Sequence, residues 1–405
     1  MAITSIIPSS IPIIDIRVLG DDDEENIWKI LKLVFPTWLK EYTKTQILEE
    51  GLSNIVIRFD HDNQKDENKT ILMRIRRKFS DYITNRWDEI KHMYILHELG
   101  SEQELYGIFQ NGLVYSFIKG STINVDDFSV PKYSELIIDQ LARLHSLPTK
   151  ETMQRLLPNE SNNEQLCTRP VLFSTIRNWI ENLPTGYSDK RKSERLKNEF
   201  PSKPFLLNEL AYLERLLKNA ISPVVLCHND LLAGNIVVSP DGKSVHFIDF
   251  EYCGFNHAAF DIGNHFCEFA GINVNYDKYP TKEYQQMWIS RYLKAKNYYE
   301  RQFNRNEISH NGFSSITTFN VSSSYSKNSN DQDYHNNNYD NDSLLEKWLI
   351  EVNNFALSAH LFWGVWAVVL SIQEENKFDY LSYGISRINQ YYTMKEHLIN
   401  TTLNL

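Results

Sequence analysis

The chain is 405 residues long, 42% hydrophobic and 23% charged, with a formal net charge of −10. Such a composition excludes a wholly disordered chain, and the acidic balance excludes bulk binding to nucleic acid, which requires a cationic face. Four cysteines, Cys167, Cys227, Cys253 and Cys267, are too few to staple so long a chain and read as free thiols of a cytoplasmic protein.

The N-terminal stretch lacks the positive segment of a signal peptide, and Pro8 and Pro12 interrupt its apolar run. Helical spacing of apolar residues predicts an amphipathic helix over 26–42. Two β-like runs, Asn54–Arg58 and Thr70–Ile75, flank a polar turn from His61 to Lys69 and predict a hairpin. A helix over 85–99 and a strand over 113–118 complete a small strand-rich lobe, residues 1–118. Residues 119–405 read as a larger lobe, with helices predicted over 133–147, 173–183, 207–220, 282–303 and 344–372. The apolar stretch 355–372 has about the minimum length of a membrane span. It holds His360, Gly364 and two tryptophans between polar flanks, so a buried helix without stable membrane insertion is predicted. Asn, Ser and Asp dominate about 306–342, which cannot bury enough apolar surface to offset its ordering entropy. A flexible insertion without chemistry is predicted there.

The chemistry concentrates in residues 224–251. An apolar run enters His228-Asn-Asp230, Asn235 follows five positions later, and two β runs flank Ser239-Pro-Asp-Gly242 before Asp249. That turn predicts a hairpin with Ile236 roughly opposite Ile248, bringing Asn235 and Asp249 together at its open end. An amide oxygen beside a carboxylate suits a hard cation such as Mg²⁺ held with substrate phosphates. Asp230 in the same loop completes the layout of kinase-type phosphoryl transfer. One Asp accepts the proton of the attacking hydroxyl, while an Asn and a second Asp bind metal. His228 reads as a brace for the loop. Two departures, Asn229 before Asp230 and Glu251 after Asp249-Phe250, point away from protein substrates and toward a small molecule.

The continuation from Ile248-Asp-Phe-Glu-Tyr through Phe260-Asp-Ile-Gly-Asn-His-Phe-Cys-Glu268-Phe-Ala-Gly271 resembles the signature of the choline/ethanolamine kinase family. Phe355-Ala-Leu-Ser-Ala-His-Leu-Phe-Trp363-Gly-Val-Trp366 and Phe378-Asp-Tyr-Leu-Ser-Tyr383 are similar to it as well, as are Ile71-Leu-Met-Arg74 and Val114–Gly120. The resemblance implies a two-lobed protein-kinase-like α+β fold, with a small antiparallel-sheet lobe and a large helical one. It implies Asp230 as base and Asn235 and Asp249 as Mg²⁺ ligands. Arg74 would bind the phosphates of ATP, oriented by Glu89 or its rival Asp88. A loop ending in Ser53 and Asn54 would cover them, although Glu50 stands where the family has a first glycine. Tyr252, Glu268, Trp363, Trp366 and Tyr383 would hold the amine, since ammonium groups favour aromatic faces and carboxylates.

The Phe-Ala-Gly after Glu268 resembles ethanolamine kinases more than choline kinases, which place a Trp there. The expected reaction is phosphorylation of ethanolamine by ATP, the first step of the CDP-ethanolamine route to phosphatidylethanolamine, with choline as the alternative acceptor. A homodimer is compatible with the resemblance. Rival readings are an aminoglycoside-type phosphotransferase, a catalytically inactive kinase fold, and a zinc module built on Cys253, His257, His265 and Cys267.

Overall fold

The computed structural model describes residues 7–48, 54–62, 69–76, 83–156, 169–309, 338–372 and 378–403. The chain divides into two compact units, Met1–Lys119 with Glu151–Glu160, and Gly120–Lys150 with Ser161–Leu405. The centre of the Asn-rich segment, Cys167, and the turn between the first two predicted strands lie outside the described residues.

The first unit contains β1 (Ile13–Ile14), α1 (Glu24–Val34), β2 (Thr43–Ile47), β3 (Asn54–His61), β4 (Lys69–Arg76), α2 (Arg86–Glu98), β5 (Leu105–Phe109) and β6 (Gly112–Ser116). These strands form one sheet in the order β1-β5-β6-β4-β3-β2, antiparallel except where β1 meets β5. The hairpin expected from the alternating runs is β3–β4, with Ile57 opposite Met73 and Phe59 opposite Ile71. All four of those side chains are buried against Ile30 and Leu31 of α1. That helix stops at Val34, earlier than the periodicity predicts. Pro36 lacks an amide proton and pushes Phe35 out of helical geometry, to φ −128° and ψ 81°.

The second unit opens with β7 (Ser121–Thr122) and α3 (Pro131–Leu144); α4 (Thr149–Leu156) belongs mostly to the first unit, and α5 (Leu172–Glu181), α6 (Lys190–Glu199) and α7 (Lys203–Leu216) follow in the second. The second unit continues with β8 (Val224–Cys227), β9 (Ile236–Val238), β10 (Val245–Phe247), β11 (Gly254–His257), α8 (Ala258–Glu268), α9 (Lys282–Ser309), α10 (Asn338–Leu370) and α11 (Tyr380–Leu403). Helix α6 has no buried residue, so no apolar period announces it. Two small sheets, β10-β9-β7 and β11-β8, carry the loops that hold the candidate residues Asp230, Asn235 and Asp249.

Helix α8 is the pivot, buried from Ala258 to Cys267. At Gly263 a Cβ would lie 2.5 Å from the Val352 carbonyl oxygen, so only glycine lets α10 cross this close. The crossing brings α10 against α8, and Trp363 Nε1 donates to Asn264 Oδ1 at 2.7 Å. Helix α10 is long and apolar enough to cross a membrane, but 89% of its apolar window is buried inside the protein. The predicted buried helix is therefore present.

Candidate active site

Strand β8 delivers the chain into His228, Asn229 and Asp230. Asn229 adopts φ 65°, a left-handed conformation that Asn tolerates better than most side chains. This accounts for an Asn at the position where the sequence comparison with protein kinases expected Arg. The loop is held by Asp261 of α8, whose two oxygens accept the backbone N–H groups of His228 at 2.7 Å and Asn229 at 2.8 Å. Asp261 Oδ2 also accepts from His145 Nε2 at 3.0 Å, and His145 Nδ1 meets the Tyr292 hydroxyl at 2.8 Å. Burial keeps His145 neutral, while its hydrogen bond to Asp261 keeps that carboxyl low despite burial. His228 braces the loop as expected, its Nε2 donating to the Ile248 carbonyl at 3.0 Å.

Sequence reasoning gave Asp261 no role. His145, Cys227 and Asp261 are the one group of such side chains, among the described residues, close enough to share a metal ion. Asp261 and His145 are already committed to the loop and to Tyr292, and the Cys227 thiol donates to the Asn256 carbonyl at 3.4 Å, so the cluster serves as a brace. The zinc reading fails on geometry. His257 Nδ1 bonds the Ser222 carbonyl, His265 Nδ1 the Leu231 carbonyl, and the Cys267 thiol donates toward Ala356. Cys227, Cys253 and Cys267 are free and buried.

The hairpin forms, with a correction of one residue in register. Ile236 pairs with Phe247, not Ile248. The turn closes around Pro240–Lys243 because Gly242, at φ 66°, adds a left-handed step before Ser239 N–H reaches the Ser244 carbonyl. The Ile248 amide then donates to the Asn235 carbonyl at 3.0 Å, and Asp249 stands one residue past the ladder at φ 63°. Asn235 uses its amide group on Asp230, donating to the backbone oxygen at 2.8 Å and to Oδ2 at 3.1 Å. That fixes the flip of the amide and leaves its Oδ1 as the outward acceptor. Asp230 is pushed well above the usual carboxylate range, first by burial and then by the charges of Glu268, Asp249 and Glu251. An all-oxygen set under mutual repulsion fits a hard divalent cation.

The amine-side residues meet in the same unit. Tyr252 lies edge-on to Trp363 with ring centres 5.3 Å apart, and Trp363 to Trp366 at 5.2 Å. Trp366 Nε1 donates to the Tyr252 hydroxyl at 2.8 Å. Glu268 is raised by burial and lowered by Arg387, whose Nη1 is 3.5 Å from Glu268 Oε1 and 3.3 Å from the Tyr383 hydroxyl. Thus Asp230, Asn235, Asp249, Tyr252, Glu268, Trp363, Trp366 and Tyr383 form one acidic, ring-lined constellation. Arg387 escaped sequence reasoning, because one arginine within an unrecognised helix carries no pattern.

In the first unit, Arg74 of β4 is buried and ion-paired with Glu89 of α2. Glu89 also accepts from Arg76 Nη1 at 3.2 Å, whereas the rival Asp88 pairs with Lys91 at 2.9 Å. Asn54 is buried at the start of β3, opposite Arg76. Ser53 and Glu50 lie outside the described residues.

His265 adds a pH-dependent tie to the loop. Its Nδ1–H donates to the Leu231 carbonyl at 3.0 Å, and burial lowers its pKa from 6.5 to about 4. The unfolded chain therefore takes up this proton first as pH falls. Stability from this group is complete above pH 6.5 and is lost down to about pH 4, amounting to about 3 kcal/mol. Denaturant titrations between pH 7.5 and 4 should show a shallower loss in His265→Leu than in the natural protein. Parallel losses would contradict it.

A kinase-like α+β fold with a catalytic-loop Asp, an Asn and a hairpin Asp defines a class of small-molecule phosphotransferases. Residues 45–392 match the choline/ethanolamine kinase family. The chain is 31% identical to mouse ethanolamine kinase 1, over 95% of this chain and 94% of that one. It is 32% identical to a probable ethanolamine kinase of Nematostella vectensis, over 97% and 99%. A Plasmodium vivax ethanolamine kinase structure superposes with TM-score 0.69 at 25% identity, over 92% of this chain and 89% of that one. A Cryptosporidium parvum choline kinase shares the fold, with TM-score 0.64 at 20% identity, over 94% and 97%. This protein belongs to the choline/ethanolamine kinase family.

Proposed function

We propose that this chain transfers the γ-phosphoryl group of ATP to the hydroxyl of ethanolamine, giving phosphoethanolamine, ADP and a proton. The observation that carries the reading is the constellation in the second unit, where a buried Asp flanked by oxygen ligands adjoins a carboxylate among aromatic rings. Asp230 takes the proton of the attacking hydroxyl; its raised pKa makes it a stronger base than an ordinary carboxylate. Asn235 Oδ1 and the Asp249 carboxylate would hold Mg²⁺, which when bound would neutralise charge on the phosphate oxygens. Arg74, presented by Glu89, engages the nucleotide phosphates, for which a planar guanidinium suits bidentate contact. Asn54 and Ser53 belong to the covering loop in this reading.

Tyr252, Trp363, Trp366, Tyr383 and Glu268 receive the ammonium group. A primary ammonium brings three N–H donors and needs acceptors, whereas a trimethylammonium has none and needs rings on several sides. The ring that follows Glu268, Phe269, packs into the core against Phe128 at 5.0 Å and Tyr284 at 5.8 Å. It adds nothing to a cage, which favours ethanolamine over choline. Steady-state kinetics with Mg·ATP should give kcat/KM at least about tenfold higher for ethanolamine, some 1.4 kcal/mol of transition-state preference. A tenfold preference for choline would overturn the assignment of substrate, and turnover of neither amine would overturn the activity itself.

A further inference from the structure

Behind Glu268 lies a charge that the phosphoryl-transfer layout leaves unexplained. Arg387 of α11 is 1% exposed. A guanidinium stays protonated even when buried, so this is a fixed positive charge beneath the amine-binding residues. Its contacts are all long for charge-assisted bonds. Nη1 is shared between Glu268 Oε1 at 3.5 Å and the Tyr383 hydroxyl at 3.3 Å, and Nη2 reaches the Ala359 carbonyl at 3.3 Å. Its Nε has no hydrogen-bond partner among the described residues. The guanidinium carbon lies 5.8 Å from the centre of the Tyr383 ring.

The pair is asymmetric. The Glu268 side chain keeps 16% of its exposure and that of Arg387 only 2%, so the carboxylate is the reachable member. Glu268 Oε2 accepts no hydrogen bond among the described residues. We propose that Arg387 is a positioning residue for amine recognition, engaging one oxygen of Glu268 from behind and leaving the other for the N–H donors of a primary ammonium. The inference rests on the reading of this site as the amine subsite. Its consequence concerns selectivity. An incoming ammonium and Arg387 share one carboxylate and repel each other, whichever amine is bound. A primary ammonium recovers that loss through directional charge-assisted hydrogen bonds, and a quaternary one cannot. A buried carboxylate without Arg387 would favour its neutral form, and the advantage of N–H donors would shrink.

The test compares the natural protein with Arg387→Met and Arg387→Lys, using ethanolamine and choline at saturating Mg·ATP. Arg387→Met should raise KM for ethanolamine at least tenfold and leave KM for ATP within twofold. The ethanolamine-to-choline ratio of kcat/KM should fall at least fivefold, and Arg387→Lys should restore part of both. A residue that merely bolts α11 to Ala359 of α10 would depress both amines equally or disturb ATP in parallel, and either result overturns the proposal. Should the Met variant not fold, Arg387→Lys alone decides, because an unchanged amine ratio there also overturns it. Failure of the natural protein to phosphorylate either amine would condemn the underlying functional reading instead.

Discussion

Replacing Asp230 with Asn is expected to lower kcat by about a thousandfold, the scale of a lost general base, with KM for ATP little changed. The same substitution should make the metal-free protein more stable at neutral pH, by about 1 kcal/mol. Both effects have one cause. Burial first, and then the charges of Glu268, Asp249 and Glu251, press the pKa of Asp230 well above 3.8. The folded state therefore holds a proton that the unfolded state releases. Stability from this group is fully present below the unfolded pKa and is lost as pH rises through the raised folded value. Asn cannot ionise and escapes that loss, while its shape preserves the contact with Asn235 Nδ2 through the side-chain oxygen. Melting curves in chelator at pH 7.5 and pH 3.5 would check it. The variant should melt higher at pH 7.5, and the gap should close at pH 3.5. A variant that is slow and also less stable at neutral pH would show that Asp230 is mainly structural.

Asp261→Asn should be the most damaging substitution for stability, at about 3–5 kcal/mol, with kcat falling as well. Asp261 is 0% exposed and accepts from two backbone N–H groups and from His145. An amide offers one acceptor oxygen where the carboxylate offers two, and its NH2 would face a donor. At least one buried N–H then loses its partner, and the left-handed turn at Asn229 loses the anchor that overcomes its strain. Denaturant unfolding measures the loss directly. A change below about 1 kcal/mol would mean that the loop holds itself without α8.

The candidate catalytic strip was legible because its residues are close in sequence. A strand, a tight loop and a short hairpin separate Asp230, Asn235 and Asp249 by few enough residues that local turn chemistry brings them together. The one-residue error in register also has a local origin. Ser-Pro-Asp-Gly marks where the chain reverses, but the left-handed Gly242 decides how many residues the loop contains. Family resemblance located Arg74 and Glu89, and packing selected Glu89 over Asp88 because Glu89 faces the core side of α2, where it meets both Arg74 and Arg76.

By itself the amino-acid order determined the strand-rich segment, the more strongly periodic helices, the close approach of Asp230, Asn235 and Asp249, and the family, since each is written in spacings within one stretch of chain. Tertiary structure alone decided what holds and tunes them. Asp261 lies 33 residues from His228 and 116 from His145, and Arg387 reaches back 28 residues to Ala359. No periodicity encodes such meetings. They arise from packing between elements distant in sequence, as where Gly384, at which a Cβ would lie 2.9 Å from the Gly364 carbonyl oxygen, lets α11 close on α10, and burial turns ordinary carboxylates, imidazoles and one guanidinium into groups whose charges depend on each other.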